Sequence, residues 1–304
     1  MSEPLIRIED DIDAALEANR AVVALESTIF SNLGLPSPAN ASALAGCLRA
    51  ISANGAVAAI TAVLDGVPRV GIAEHEHERI LGAAHKMSER EIAIAIAQRW
   101  PFGATTVSAT LCLAARAGIR VFSTGGIGGV HRGVQTTGDI SADLGAIARY
   151  PLVTVCAGAK SFLDLPRTLE HLEMLSVPVV GYGTDEFPAF TMRSSGLPVS
   201  ARVDSIAELA DFVIAQRALN GTGVLVTVPI PEGSALADDI GHAALDRAVA
   251  AAEREGLRGP AVTPFVLAHI ADSTGGDAVE SNLALAINNA TVAAQLAVAL
   301  SEAG

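Results

Sequence analysis

The sequence predicts an α/β protein with a central, largely parallel or mixed sheet flanked by helices, a single layered domain over residues 1–304. Three observations carry this. Short β-branched runs alternate with longer Ala-rich segments, the rhythm of a layered α/β fold. Several of the runs are apolar on both faces, as strands buried beneath helices are. Half of the 304 residues are hydrophobic but only 4% are aromatic, so the core is built from Ala, Val, Ile and Leu. Such side chains suit helices packed closely on a sheet. The length allows one large or two modest domains; no repeat or low-complexity linker marks a boundary, and one domain is the simpler reading.

The strands fall at 21–27, 56–64, 120–124, 152–157, 178–183 and 224–228. Between them, helical patterns occupy 39–53, 89–99, 105–117, 205–218 and 240–255. The last, 281–301, is a long Ala/Leu-rich helix.

The net charge of −13 argues against a nucleic-acid partner, which calls for clustered Lys and Arg. A small anionic substrate remains compatible, since one or two local cations and backbone amides suffice. Mean hydropathy is positive, yet no window offers the roughly 18 uninterrupted apolar residues of a spanning helix. The N-terminus MSEPLIRIEDDIDAAL is acidic and amphipathic, the opposite of a targeting peptide. Cys47, Cys112 and Cys156 lie far apart and read as reduced thiols. A cytoplasmic protein without membrane contact is expected.

Functional loops of such folds gather at the carboxyl ends of strands, where this sequence places unusual residues. Lys160 follows the apolar run LVTVCAGA; burial there would lower its pKa and leave an amine able to attack a carbonyl. The alternative is a helix-start lysine that reaches solvent or pairs with Asp164. Glu26 ends the run AVVALEST as a candidate general acid or base, or as an acceptor for the loop beyond it. The run STGGIGGVHRG, residues 123–133, matches neither a P-loop nor a dinucleotide fingerprint. Its glycines permit close backbone approach to a ligand, with Thr124 at its start and His131 and Arg132 at its end; a plain turn is the other reading. Asp139, Ser141 and Asp143 alternate, so an extended segment points them to one side. They suit a divalent cation held mostly through water, or else cap the next helix. Lys86 precedes a capping-like segment, Ser88-Glu89-Arg90-Glu91, and is a candidate phosphate cation or an ordinary surface lysine. The segment 103–106, GATT, opens a helix whose N-terminal amides suit phosphate. The charged stretch 74–78, EHEHE, reads as a solvated turn.

Together these segments resemble the pseudouridine-5′-phosphate glycosidases, the family that also contains the indigoidine-synthase-A-like proteins. The matching stretches are VALEST, GATTV, FSTGGIGGVHRG, DISADL, VCAGAKS, DEFPAF, PIPE, TPF and the TGGD…NNA tail, in family order over nearly the whole chain. The resemblance implies reversible cleavage by water of the C–C glycosidic bond of pseudouridine 5′-phosphate, giving uracil and ribose 5-phosphate. Lys160 matches the lysine that forms an imine at C1′ of the ring-opened ribose, and Glu26 the acid that handles proton transfer. Asp139 matches the holder of Mn²⁺ or another divalent cation. Lys86 and the Val107 backbone match phosphate contacts, and Ser141 and Asp143 other substrate contacts. His131, Thr124 and Asn289 are placed with the substrate site, and a homotrimer is implied. Two positions depart from the family pattern. Ser31-Asn32-Leu33-Gly34 stands where many members have Ser-His-Gly, and Val228 where many have Asn before Pro-Ile-Pro-Glu. Both are expected next to pocket walls, where they bear on substrate fit more than on the basic chemistry. Two rival functions use the same features: a lysine-imine lyase or aldolase acting on another sugar phosphate, and a non-catalytic sugar-phosphate-binding protein of the same fold.

Overall fold

Apolar runs of four to eight residues build the middle of the sheet, too short for stable helices and rich in the β-branched residues that pack well on a pleated surface. A computed structural model describes residues 5–219, 221–257 and 259–303. The chain begins with β1 (Arg7–Ile8), α1 (Asp10–Glu17), β2 (Val22–Leu25), α2 (Ala39–Ala53) and β3 (Val57–Leu64). An excursion follows through β4 (Val67–Val70), α3 (His77–Ile80), β5 (His85–Met87), α4 (Ile92–Ala97) and β6 (Phe102–Thr105). Next come α5 (Val107–Arg116), β7 (Val121–Ser123), α6 (Val134–Thr137), α7 (Ala142–Arg149) and β8 (Val153–Cys156). The chain then passes through α8 (Leu165–Met174), β9 (Val179–Tyr182), β10 (Ala201–Val203), α9 (Ile206–Leu219) and β11 (Val224–Thr227). It closes with α10 (Asp238–Arg254), α11 (Val262–Ser273) and α12 (Asp277–Glu302).

The strands join in one sheet ordered β1-β4-β3-β2-β7-β8-β11-β9-β10, with β6 added to β3 and β5 to β6. Among the described strand pairs, only β3–β4 and β3–β6 are antiparallel. Alternation along the strands divides the core between the two faces. Val23 and Leu25 join a layer with α12 residues such as Leu285, Ala293 and Leu296. Val22 and Ala24 face the other way, toward Leu111 of α5 and Leu144 of α7. By length and composition α12 could cross a membrane, but more than half of its most apolar window is buried inside the protein. Its packing on α2 and the sheet makes it a core helix.

One junction matters for the site. β2 pairs with β3 over Val57–Ile60 and β6 pairs with it over Ala62–Leu64, while β4 occupies the opposite edge. β2 runs parallel to β3 and β6 antiparallel, so the carboxyl ends of β2 and β6 meet head-on at Thr61.

Three sequence expectations are corrected here. Residues 103–105 of GATT finish β6 rather than opening a helix, which starts at Val107. Gly103 suits a strand because a Cβ there would press within 3.0 Å of Met87 Sδ. The stretch 74–78 is not wholly solvated. Glu76 pairs at 2.9 Å with Arg69, which is buried and also bound by Glu9, and Arg79 reaches Glu76 at 3.1 Å and Asp65 at 2.7 Å. A buried guanidinium requires such partners. Val228, expected next to the pocket, is buried in the α12-side core and is not among the residues lining the cavity described below.

Candidate active site

The carboxyl ends of β2, β5, β6, β7 and β8 surround a cavity of about 490 Å³. Glu26 and Thr28 enter from the end of β2, Lys86 from β5, and Thr106 and Val107 from the start of α5. Gly128 and His131 come from the glycine run, Asp139, Ser141 and Asp143 from the segment that starts α7, and Lys160 from beyond β8. Phe162, Leu163, Pro264 and Leu33 add apolar wall, with Thr263 among the lining residues. Leu33 thus places the Ser31-Asn32-Leu33-Gly34 departure at the wall. Neighbouring Asn32 faces away and accepts from the Ala84 N–H at 3.1 Å.

Glu26 is buried and accepts a hydrogen bond from the Thr124 hydroxyl. Burial pushes its carboxyl up to about 6, against the opposing pull of Lys160 and of the Thr124 hydrogen bond. A carboxyl so poised can both hold and release a proton near neutral pH. Lys160 is partly, not fully, buried, and its Nζ donates to the Gly126 carbonyl at 2.7 Å. Burial, then repulsion from Lys160, holds Lys86 below the ordinary lysine value, with Asp143 and Glu26 opposing. Burial likewise lowers His131, opposed by Asp139 and assisted by Lys86 and Lys160.

Two glycines are required by close approach. A Cβ at Gly128 would lie 2.3 Å from Ser141 Oγ, and one at Gly158, whose φ is +79°, only 2.0 Å from the Pro188 carbonyl oxygen. Gly128 thereby lets its N–H reach Asp143 Oδ2 at 2.9 Å, while Asp143 Oδ1 accepts from the Ser108 N–H at 3.1 Å. Asp143 therefore clamps the glycine run to the first turn of α5. Ser141 Oγ caps α7 by accepting from the Asp143 N–H and also faces the cavity.

Two residues expected at the substrate site, Thr124 and Asn289, are not among those lining the cavity and bond to its wall. Thr124 is buried, with its hydroxyl spent on Glu26. Asn289 is fully buried, and its Nδ2 donates to the carbonyls of Thr124 and Gly125 at 2.9 and 3.2 Å. Ser88, Arg90 and Glu91 line the cavity without having been singled out for it. Their signal was the Ser-x-x-Glu capping box, which forms here with Glu91 Oε2 accepting from the Ser88 N–H at 2.9 Å.

For a divalent cation the cavity offers Asp139, whose Oδ2 lies 3.8 Å from His131 Nδ1. Among the described residues no three His, Cys, Asp or Glu side chains converge. The donor set therefore fits a hard cation that keeps most of its water, and not a protein-caged metal.

Fold and cavity together define an α/β protein whose strand ends gather a buried carboxyl and two lysine amines in one cavity. Residues 11–299 match the model of the indigoidine synthase A like protein family. The pseudouridine-5′-phosphate glycosidase of Chloroflexus aurantiacus is 50% identical over 308 residues, covering 99% of this chain and 100% of the relative. That of Methylobacterium nodulans is 49% identical, covering 99% and 89%. Among solved structures, the prealnumycin C-glycosynthase AlnA in complex with ribulose 5-phosphate is 37% identical, with a TM-score of 0.89 and 99% of each chain covered. The chain belongs to the indigoidine synthase A like family, which includes the pseudouridine-5′-phosphate glycosidases.

Proposed function

We propose that this chain is a pseudouridine-5′-phosphate glycosidase, the whole chain acting as one catalytic unit on pseudouridine 5′-phosphate and water to give uracil and ribose 5-phosphate. The observation that carries the reading is the meeting, in one cavity, of the buried Glu26 carboxyl, the Lys160 amine and the half-buried Lys86. The near-full-length likeness to glycosidases supports it.

A carbon–carbon glycosidic bond offers no leaving oxygen or nitrogen to protonate, so acid alone does not break it. An amine supplies the missing push of electrons. Lys160 Nζ bonds to C1′ as the C1′–O4′ bond opens and O4′ takes a proton. The nitrogen lone pair then forms the imine while the C1′–C5 bond breaks, its electron pair passing to C5 of uracil. Glu26 delivers the proton that completes uracil. Water hydrolyses the imine, releasing ribose 5-phosphate and the free amine. Lys86 and the Val107 N–H at the start of α5 hold the phosphate. Ser141 orients the ribose, and neutral His131 lies within reach as a proton carrier. Asp139, beside His131, would hold Mn²⁺ or another divalent cation largely through water, and the bound ion supplies positive charge to substrate oxygens.

Purified protein incubated with pseudouridine 5′-phosphate and Mn²⁺ should release uracil, and chelation should stop the release. A folded protein that releases none would refute the reading. The family likeness further supports a homotrimer in the cytoplasm; light scattering that gives a monomer mass would overturn the trimer.

A further inference from the structure

Glu26 and the Thr106–Val107 turn stand at the ends of two strands that no ladder joins, because β2 and β6 meet head-on at Thr61. Hydroxyl groups bridge the break. The Thr105 N–H donates to Ser27 Oγ at 3.0 Å, and the Ser27 N–H donates to Thr105 Oγ1 at 3.2 Å. Thr105 Oγ1 also donates to the Thr61 carbonyl at 2.8 Å, and Thr61 Oγ1 lies 3.0 Å from Thr110 Oγ1 in α5. Thr28 Oγ1 donates to the Thr105 carbonyl at 2.7 Å. Ser27, Thr61, Thr105 and Thr110 are all fully buried.

Buried hydroxyls and backbone groups are costly unless paired. A cluster paired this fully favours one arrangement of the two strand ends. Valine at 105 would fill the same volume yet leave the Ser27 N–H and the Thr61 carbonyl without that partner. The consequence reaches the chemistry through geometry. A phosphate held at the start of α5 fixes one end of the substrate, and Glu26 must meet the other.

We propose that Thr105 is a positioning residue which, with Ser27 and Thr61, sets the Glu26 carboxyl relative to the phosphate-binding start of α5. The inference rests on the proposed glycosidase reading, which gives Glu26 and Val107 those roles. Misplacement on the order of 1 Å can cost about a hundredfold in rate.

The test compares wild type, Thr105→Val and Thr105→Ser in uracil release, together with thermal melting and borohydride trapping of ribose 5-phosphate on Lys160. Thr105→Val should lose about 10- to 100-fold in kcat, with KM within about threefold of wild type and the Lys160 adduct retained. Thr105→Ser should restore most of the rate. A folded Thr105→Val with kcat within about twofold of wild type would overturn the proposal. So would losses in kcat and KM that only track a lowered Tm, or a failure of serine to rescue. Should Thr105→Val not fold, Ser27→Ala carries the same expectations. If wild type releases no uracil, the functional reading fails by itself. Thr105 is then read from the Glu26 carboxyl titration, followed by infrared difference spectra with Glu26→Gln as the blank. A midpoint that moves in Thr105→Val supports the positioning role, and an unchanged midpoint overturns it.

Discussion

Lys160 Nζ donates a 2.7 Å hydrogen bond to the carbonyl of Gly126, tethering the amine to the glycine run that faces it. The backbone braces the same pair: the Lys160 N–H donates to the Ile127 carbonyl at 3.1 Å, and the Ile127 N–H to the Gly158 carbonyl at 3.0 Å. Once its proton is lost, an amine that donates one N–H still has its lone pair for an incoming carbon. Arginine at 160 would retain positive charge and hydrogen-bonding capacity but form no imine. Lys160→Arg should therefore lose at least about a thousandfold in kcat. Mass spectrometry after borohydride treatment with ribose 5-phosphate should find the adduct on Lys160 in wild type and none in the variant. An adduct on another lysine would refute the assignment.

Glu26 links catalysis to stability. Burial raises its carboxyl from 4.5 to about 6 on folding. Between those values the unfolded chain loses its proton first. The native state is thus favoured below about 4.5, and the advantage disappears as pH rises through about 6. A gap of that size corresponds to about 2 kcal/mol. Glutamine at 26 still accepts from Thr124 but carries no charge. Glu26→Gln should flatten this part of the stability profile and raise Tm above pH 7 by a few degrees, on the order expected for 2 kcal/mol, while uracil release collapses. Melting curves from pH 4 to 8 decide the matter. An unchanged slope would show that the wild-type carboxyl titrates like an exposed one.

Lys86 shares the cavity with Lys160, and the two repel. A dianionic phosphate relieves that repulsion, so the cation should act mainly in binding. Lys86→Met should raise KM for pseudouridine 5′-phosphate by about 10- to 100-fold, the range of a charge-assisted hydrogen bond, with kcat much less affected. An unchanged KM in steady-state assays would remove Lys86 from the phosphate site.

The sequence made Glu26 and Lys160 legible for one physical reason: each is a charged residue following a largely apolar run, Glu26 directly after β2 and Lys160 three small residues past the end of β8. The six central strands were readable for the related reason that burial on both faces leaves runs that are mostly apolar, broken only by an occasional Thr, Ser, Gly or Tyr. The excursion from β4 to β6 was not, because its strands have three or four residues and include Pro68 and Gly103. The hold of Thr124 and Asn289 on the wall was not legible, since a side chain bonding to carbonyls or to a neighbouring carboxyl has no sequence pattern of its own. The pairing of Ser27 with Thr105 went unread for the same reason. Their partnership exists only because two strands end against each other at Thr61.

Asp143 offers a choice between two roles that one substitution separates. Its two oxygens each accept a backbone N–H, from Ser108 and Gly128, and it is buried. Asparagine is nearly the same shape but presents one acceptor and one donor, so either amide would face an N–H group. Leaving such a buried donor unpaired costs about 1–3 kcal/mol. Loosening Gly128 also loosens Gly126 and Ile127, which hold Lys160. Asp143→Asn should therefore lower Tm by several degrees and slow Lys160 adduct formation. Ser141→Ala, which removes only a cap worth about 1 kcal/mol, should cost less stability. Were Asp143 chiefly a direct contact to substrate, Asp143→Asn would instead raise KM while Tm and the rate of adduct formation stayed at wild-type values. Melting curves and trapping rates measured on the same preparations distinguish the two, and the clamp geometry predicts the first pattern.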